Sequence, residues 1–384
     1  MIRHSVALAV GDRALVAWEH YNLSYDLRSR APDATMEAHV PDAETARAVY
    51  DAACANPDCR LYADNQLLAT MRVRRIEVAR NADGTTVRLT LRGRSSVLET
   101  VPMPLGWRPT SQTLDGVLRE LAGPYGVSVV TDRTAAAIEL YRRRVRTTKE
   151  FTETAGTNTG PEVCPAGETQ TKTEPYNDDR ETRARPGESV TAWLGRVVAR
   201  HRVRMFEMPG GELFIGEPAA ATSPPAGLID ATASRMTEGA VLSWSVSRAL
   251  GGVPHSVRVV GRVRAGGRAL VDETASDDLA ATWPDSALIE NPHLRGGEEA
   301  RADATRILAD TTLGGQAVTV ELAGNGPPQA VAWPDRMYTV NIPAAGLEVV
   351  RLYCLAVTWS HSMSGTRATM TLVDRDAWAS SSTG

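Results

Sequence analysis

Lysine is nearly absent from this chain: of its 42 basic residues only Lys149 and Lys172 are lysines, the rest being arginine. Against 46 acidic residues the net charge is −4, so the basic excess expected of a dedicated DNA or RNA binder is missing. No apolar run approaches the roughly 20 residues that span a bilayer. The opening Met1–Val10 also lacks the apolar length and cleavage site of a signal peptide. These absences predict a soluble product of the cytoplasm with no stable membrane insertion.

Cysteine is scarce too. Cys54, Cys59, Cys164 and Cys354 form no CxxC pair and have no histidines at metal-ligand spacing, so no metal site is expected. Cys54 and Cys59 flank Asn56-Pro57 closely enough for a small disulfide loop, but a cytoplasmic product favours two reduced thiols. Catalytic motifs are missing as well: there is no GxSxG, HExxH, GxxxxGK[ST] or strand-borne GxGxxG. His4, His20, His39, His201, His255, His293 and His361 are scattered, and Glu298-Glu299 sit at a helix start, where carboxylates meet the helix dipole. No cofactor and no catalytic residue are predicted.

What the chain does contain is an internal echo. Sliding Ile76–Arg94 by 281 positions places it on Val357–Arg375, with Ile76 on Val357, Val78 on Trp359, Gly84-Thr85 on Gly365-Thr366, and Leu89 on Met370. Each copy reads as strand, glycine turn, strand, with one apolar face. Within 70–80 the apolar phase slips from Met71 and Val73 to Ile76 and Val78, which predicts a β-bulge near Arg74-Arg75. Two similar β modules in one chain allow a trimer to present six quasi-equivalent units.

Around this echo the chain divides into three parts. Residues 1–104 read as a small β-barrel: a β meander over 5–40, a helix at 43–54, then strands at 60–63, 67–80 and 85–94. Residues 105–218 read as an α/β domain. Its helices carry the stripes Leu114, Val117, Leu118, Leu121 and Val190, Trp193, Leu194, Val197, and a polar stretch at about 147–188 reads as a long mobile loop. Residues 219–384 read as the second β module, with an acidic, loop-rich insertion at about 269–297. Its helix at 298–311 is taken as the counterpart of the helix at 43–54.

Charge is segregated near that insertion. Arg258, Arg262, Arg264 and Arg268 lie in an acid-free run, followed by an acidic stretch that opens with Asp272, Glu273, Asp277 and Asp278. Facing blocks of this kind suit contacts between subunits. The run Arg142–Arg146 beside the polar stretch reads as the base of a tether or a partner contact.

The order of these features resembles a family. SVALAVGDRALVAWEHYNLSYDL at the start, LLATMRVRRIEVARNADGTTVRLTLRGRSSVLETVP, TLDGVLRELAGPYGVSVV, GESVTAWLGRVVARHRVRMFEMPGGELFIGEP and SHSMSGTRATMTLVDRDAW are similar to baseplate hub proteins of contractile-tailed phages, most closely the phage Mu type. The resemblance implies a mostly β fold with an α/β part. In it, two tail-tube-like β-barrel modules per chain assemble as a pseudo-six-fold homotrimer. It also implies a structural role in the virion baseplate, assembled in the host cytoplasm: a ring that joins a central spike protein to the tail tube or tube-initiator protein. Baseplate wedge and tape-measure proteins would be further partners, and genomic DNA would pass through transiently. Two other classes stay open at this point. One is a cell-wall- or carbohydrate-degrading tail enzyme with paired carboxylates. The other is a monomeric surface-binding module using Trp18, Trp107, Trp244 or Trp283.

Overall fold

The computed structural model describes most of residues 6–374. The longer stretches outside that description are 152–168, 178–183, 218–222, 249–253, 262–270, 277–285, 291–296 and 309–315. The first β module contains β1 (Val6–Val10), β2 (Arg13–Leu15), β3 (His20–Asp26), β4 (Asp33–Val40), helix α1 (Ala43–Ala55), β5 (Asp58–Ala63), β6 (Gln66–Asn81) and β7 (Gly84–Gly93). Alternation decides which face is buried: Val87, Leu89 and Leu91 of β7 point into the core, between outward Arg88, Thr90 and Arg92. The expected meander over 5–40 is instead two hairpins. β1–β2 lies at one end of the module, against β5, while β3–β4 lies at the other, against β7.

Between the modules lie two short helices, α2 (Val97–Thr100) and α3 (Leu114–Ala122), then β8 (Val129–Thr131), α4 (Arg133–Ala136), β9 (Arg143–Phe151), β10 (Thr169–Asn177), α5 (Val190–Arg200), β11 (Arg204–Glu207) and β12 (Leu213–Gly216). The Thr113 side chain accepts the Gly116 N–H and so caps α3, as its position before the apolar stripe requires. That stripe and the stripe of α5, including Trp193 and Leu194, pack together over the sheet β11-β12-β8. The polar stretch at 147–188 is not wholly loop: β9 and β10 pair antiparallel there and join no other described sheet. Threonine-rich segments favour extended backbone, and a ribbon satisfies its ladder without an apolar core.

The second β module follows as β13 (Leu228–Asp230), β14 (Val241–Arg248), β15 (Ser256–Val260), β16 (Asp272–Ser276), β17 (Ser286–Glu290), β18 (Gln316–Ala323), β19 (Arg336–Ile342), β20 (Leu347–Ser362) and β21 (Gly365–Val373). The echo holds at the level of register. Ile76 faces Leu89 as Val357 faces Met370, Val78 faces Val87 as Trp359 faces Ala368, and Asn81 faces Gly84 as Ser362 faces Gly365. Even the bulge is duplicated, between Val73 and Arg75 in β6 and between Cys354 and Ala356 in β20. Gly84 and Gly365 both hold φ values (134° and 107°) that side-chain-bearing residues avoid, which is why the turn glycine appears in both copies.

The flanking strands follow the same plan, for Met36 of β4 faces Leu89 as Val320 of β18 faces Met370. The helix at 298–311 therefore cannot be the counterpart of α1. It precedes β18, whereas α1 follows β4, and its Ala300, Ala304 and Leu308 pack on Val257 and Val259 of the separate sheet β16-β15-β17. Two of that sheet's strands occupy the stretch expected to be loop-rich. The position after β18 is filled by a helix-free segment whose Val331 and Ala332 are buried in the main core.

One sheet of thirteen strands runs through both modules along the path β14-β18-β21-β20-β3-β4-β7-β6-β5-β1-β2, with β19 and β13 branching from β20. The chain is thus mostly β with an α/β part. The ladder does not close into barrels among the described residues, and both modules contribute to one continuous core. No helix of the described residues is long and apolar enough to cross a membrane.

Candidate functional site

The two modules meet at β3 and β20. Strand β20 is long enough to serve two neighbours on one edge: its residues before the bulge pair with β19, and Ala356–His361 pair with β3. The bulge makes this division, because the extra residue bends the strand and ends one ladder where the other begins. At the joint, Trp359 is fully buried and its indole Nε1–H donates to the Asn325 carbonyl at 3.0 Å. Its ring packs edge-on against Trp333. The Tyr21 ring stacks on His361 with centroids 5.6 Å apart and planes 6° from parallel. His361 Nδ1 lies 2.9 Å from Thr366 Oγ1, the threonine of the second Gly-Thr turn.

The α/β part is fastened to the first module by a buried carboxylate. Glu207, on β11 and 1 % exposed, accepts hydrogen bonds from the Arg94 and Ser95 backbone N–H groups, each at 2.8 Å, and from the Ser95 hydroxyl. Burial pushes its carboxyl up to about 7 despite those donors. A Cβ at Gly93 would lie 2.5 Å from both the Glu207 carboxylate and Pro32, so only glycine fits that crossing. The same strand pair reaches the second module, where Phe206 joins Leu27, Met337, Tyr353, Leu355 and Val373 in a small core. Glu207 thus holds a junction, and no feature of its sequence neighbourhood marks it beyond a lone acid in a strand.

The residues singled out from sequence are dispersed. Arg258 and Asp272 do meet, but within one chain: the guanidinium forks onto the carboxylate across the β15–β16 pair and holds it below the usual carboxylate range. Glu273 lies beside Asp272 on β16, while Arg262, Arg264, Arg268, Asp277 and Asp278 fall outside the described residues. Cys54 and Cys59 are both free thiols. Cys54 is exposed on α1, and Cys59 is buried with its Sγ 3.4 Å from the Met71 carbonyl. Among the tryptophans, Trp107 packs edge-on against buried Trp193, Trp244 is exposed on β14, and Trp18 and Trp283 are outside the description. Among the described residues no group of His, Cys, Asp and Glu is arranged to hold a metal ion.

No protein-family model matches the chain, and no curated protein sequence matches it. Solved structures do. A tail protein from Neisseria meningitidis superposes with a TM-score of 0.72 over 99 % of both chains at 16 % identity. The 43 kDa tail protein of prophage MuSo2 from Shewanella oneidensis gives 0.67 at 14 % identity, over 97 % of this chain and 99 % of that one. The fold is that of phage tail proteins. An E. coli component of the type VI secretion system, described as structurally similar to the T4 bacteriophage tail proteins gp27 and gp5, gives 0.51 at 10 % identity over 96 % of this chain and 76 % of that one. Such low identities with near-full coverage are what a fold kept by strand order and burial, rather than by a fixed set of chemical residues, produces.

Proposed function

We propose that this chain is the structural hub of a contractile-tail baseplate: a homotrimeric ring in the virion that joins a central spike to the six-fold tail tube and leaves a passage for the genome. The observation that carries the proposal is the duplicated β module, equal in register down to its bulge, with the two copies joined side by side in one sheet. Two copies per chain and three chains make six similar units, which lets a three-fold spike meet a six-fold tube. On this reading residues 1–104 and 219–384 form the collar and residues 105–218 brace it from outside. The other members of the charged blocks, Arg262, Arg264, Arg268, Glu273, Asp277 and Asp278, serve contacts with neighbouring chains. Tube-initiator, wedge and tape-measure proteins complete its surroundings, and assembly takes place in the host cytoplasm. The similarity of the type VI component to gp27 and gp5 supports the reading.

Absolute mass by light scattering after size exclusion, over a concentration series with and without the cognate spike, tests it. A trimer, alone or induced by the spike, is expected, with six density lobes per ring by electron microscopy. A chain that stays monomeric with the spike present would refute the proposal.

A further inference from the structure

The joint between the two modules inside one chain has open counterparts among the described residues, one at the β14 end of the sheet and one along the second half of β6. On the edge away from β7, Arg75–Arg80 of β6 have no strand partner among the described residues, although the equivalent residues of β20 pair with β3. On the edge away from β18, β14 likewise has none, although its equivalent β3 pairs with β20. Apolar exposure coincides with these edges. Val78 is 45 % exposed where its equivalent Trp359 is sealed, and Trp244 and Val246 are 39 % and 42 % exposed where their equivalents Tyr21 and Leu23 are buried. An unpaired strand edge with apolar side chains is a template for another strand.

We infer that β14 of one copy of this chain adds to the Arg75–Arg80 edge of β6 in the next copy, repeating between chains the joint that β3 and β20 make within one. This deepens the hub reading and rests on it, because it names the surface through which the ring closes. The internal joint also dictates the register. Trp359 faces Leu23 and His361 faces Tyr21. Carrying each strand onto its equivalent through the shared partners β7/β21 and β4/β18 places Val78 opposite Val246, and Arg80 opposite Trp244. The Tyr21–His361 ring stack then becomes a Trp244 indole over the Arg80 guanidinium, a favourable cation–π pairing. The surface is heterologous, one edge meeting a different edge, so repetition runs head to tail and closes as a ring when the rotation between modules is the same inside and between chains. The arginines and Glu77 along β6 keep the edge soluble until that partner arrives.

Cysteine pairing tests both the surface and its register, since directly opposed residues in antiparallel strands have Cα atoms about 4.5–5.5 Å apart, within disulfide range. In full-length chain with Cys54 and Cys164 replaced by serine, Val78→Cys and Val246→Cys proteins are purified separately, mixed and oxidised. A covalent dimer is expected in the mixture only, and a covalently closed trimer from the double variant. Val78→Cys with Ser243→Cys, out of register, should give none. Because Trp244 and Val246 are exposed in the single chain, Trp244→Ala and Val246→Asp should leave its circular dichroism unchanged while raising the concentration needed for assembly at least tenfold. A trimer that forms but never cross-links at Val78 and Val246, or that ignores both β14 substitutions, overturns this surface and leaves the hub reading standing. A chain monomeric under every condition overturns both.

Discussion

Glu207 gives the chain a pH dependence whose sign is unusual for a carboxylate. The folded group titrates at about 7 against an ordinary value of 4.5, because burial opposes its charge more than the Arg94 and Ser95 donors support it. Folding therefore raises its proton affinity. The stability this confers is complete below about pH 4.5, falls as pH rises toward 7, and is gone above that. At about 1.36 kcal/mol per pH unit the whole effect is on the order of 3 kcal/mol. Paired carboxylates such as Asp115 beside Arg119 or Glu321 beside Arg367 are held below their ordinary range, and lose stability only as pH falls further into acid. The Glu207 effect is therefore separable above pH 5. Replacing Glu207 with glutamine keeps the shape, removes the titration, and sets the amide against the Ser95 donors. Thermal unfolding of wild type and Glu207→Gln at pH 5, 6, 7 and 8 should show the difference in stability between them shrinking by roughly 2 kcal/mol or more from pH 5 to 7 and holding constant beyond. Hydrogen exchange at the Arg94 and Ser95 amides should be faster in the variant. Parallel pH profiles for the two proteins would show that Glu207 carries no such proton, and would refute the argument from burial.

Four further outcomes follow from burial and contacts elsewhere in the chain. Gly93→Ala forces a methyl group into the Glu207 carboxylate and Pro32, and should destabilise the chain by about 1–3 kcal/mol in chemical denaturation. Trp359→Ala empties a sealed site and removes one of the two hydrogen bonds to the Asn325 carbonyl, the Ala332 N–H keeping the other, and should cost about 3–5 kcal/mol. Val78→Ala at the equivalent half-exposed position should cost the single chain less than about 1 kcal/mol, and equal losses at the two would contradict the asymmetry. Cys54 should react with a thiol reagent in the folded chain while Cys59 and Cys354 react only after unfolding, and labelling of all three at one rate would contradict their burial.

Much of the β architecture was legible because alternation has a period that only a strand satisfies. The phase slip at Arg74-Arg75 foretold the bulge, and the Gly-Thr pair foretold both turns. The α3 and α5 stripes were equally clear, since a helical period leaves one face to bury. The segment expected as a helix at 298–311 is helical where it is described, up to Leu308, but its neighbour differs from the expected one, because its alanine-rich face fits any apolar sheet and nothing local says which. The strands β9 and β10 were hidden by polar composition, and β16 and β17 by the acidic stretch around them, although Ala275, Ala287 and Ile289 pack on the helix-covered cluster. Glu207 could not be singled out, since its partners lie more than a hundred residues away.

By itself the sequence determined that two similar, half-buried hairpins exist, and that strands dominate the chain. Those properties depend on side-chain periodicity and residue type, which are local. Only the tertiary structure decided that the hairpins share one sheet, that β20 is sealed by β3 while the same stretch of its twin β6 has no strand partner there among the described residues, and that a buried acid locks the α/β part in place. Strand pairing between distant segments is a competition among many compatible edges, and the winner is settled by which packing buries the most apolar surface at once.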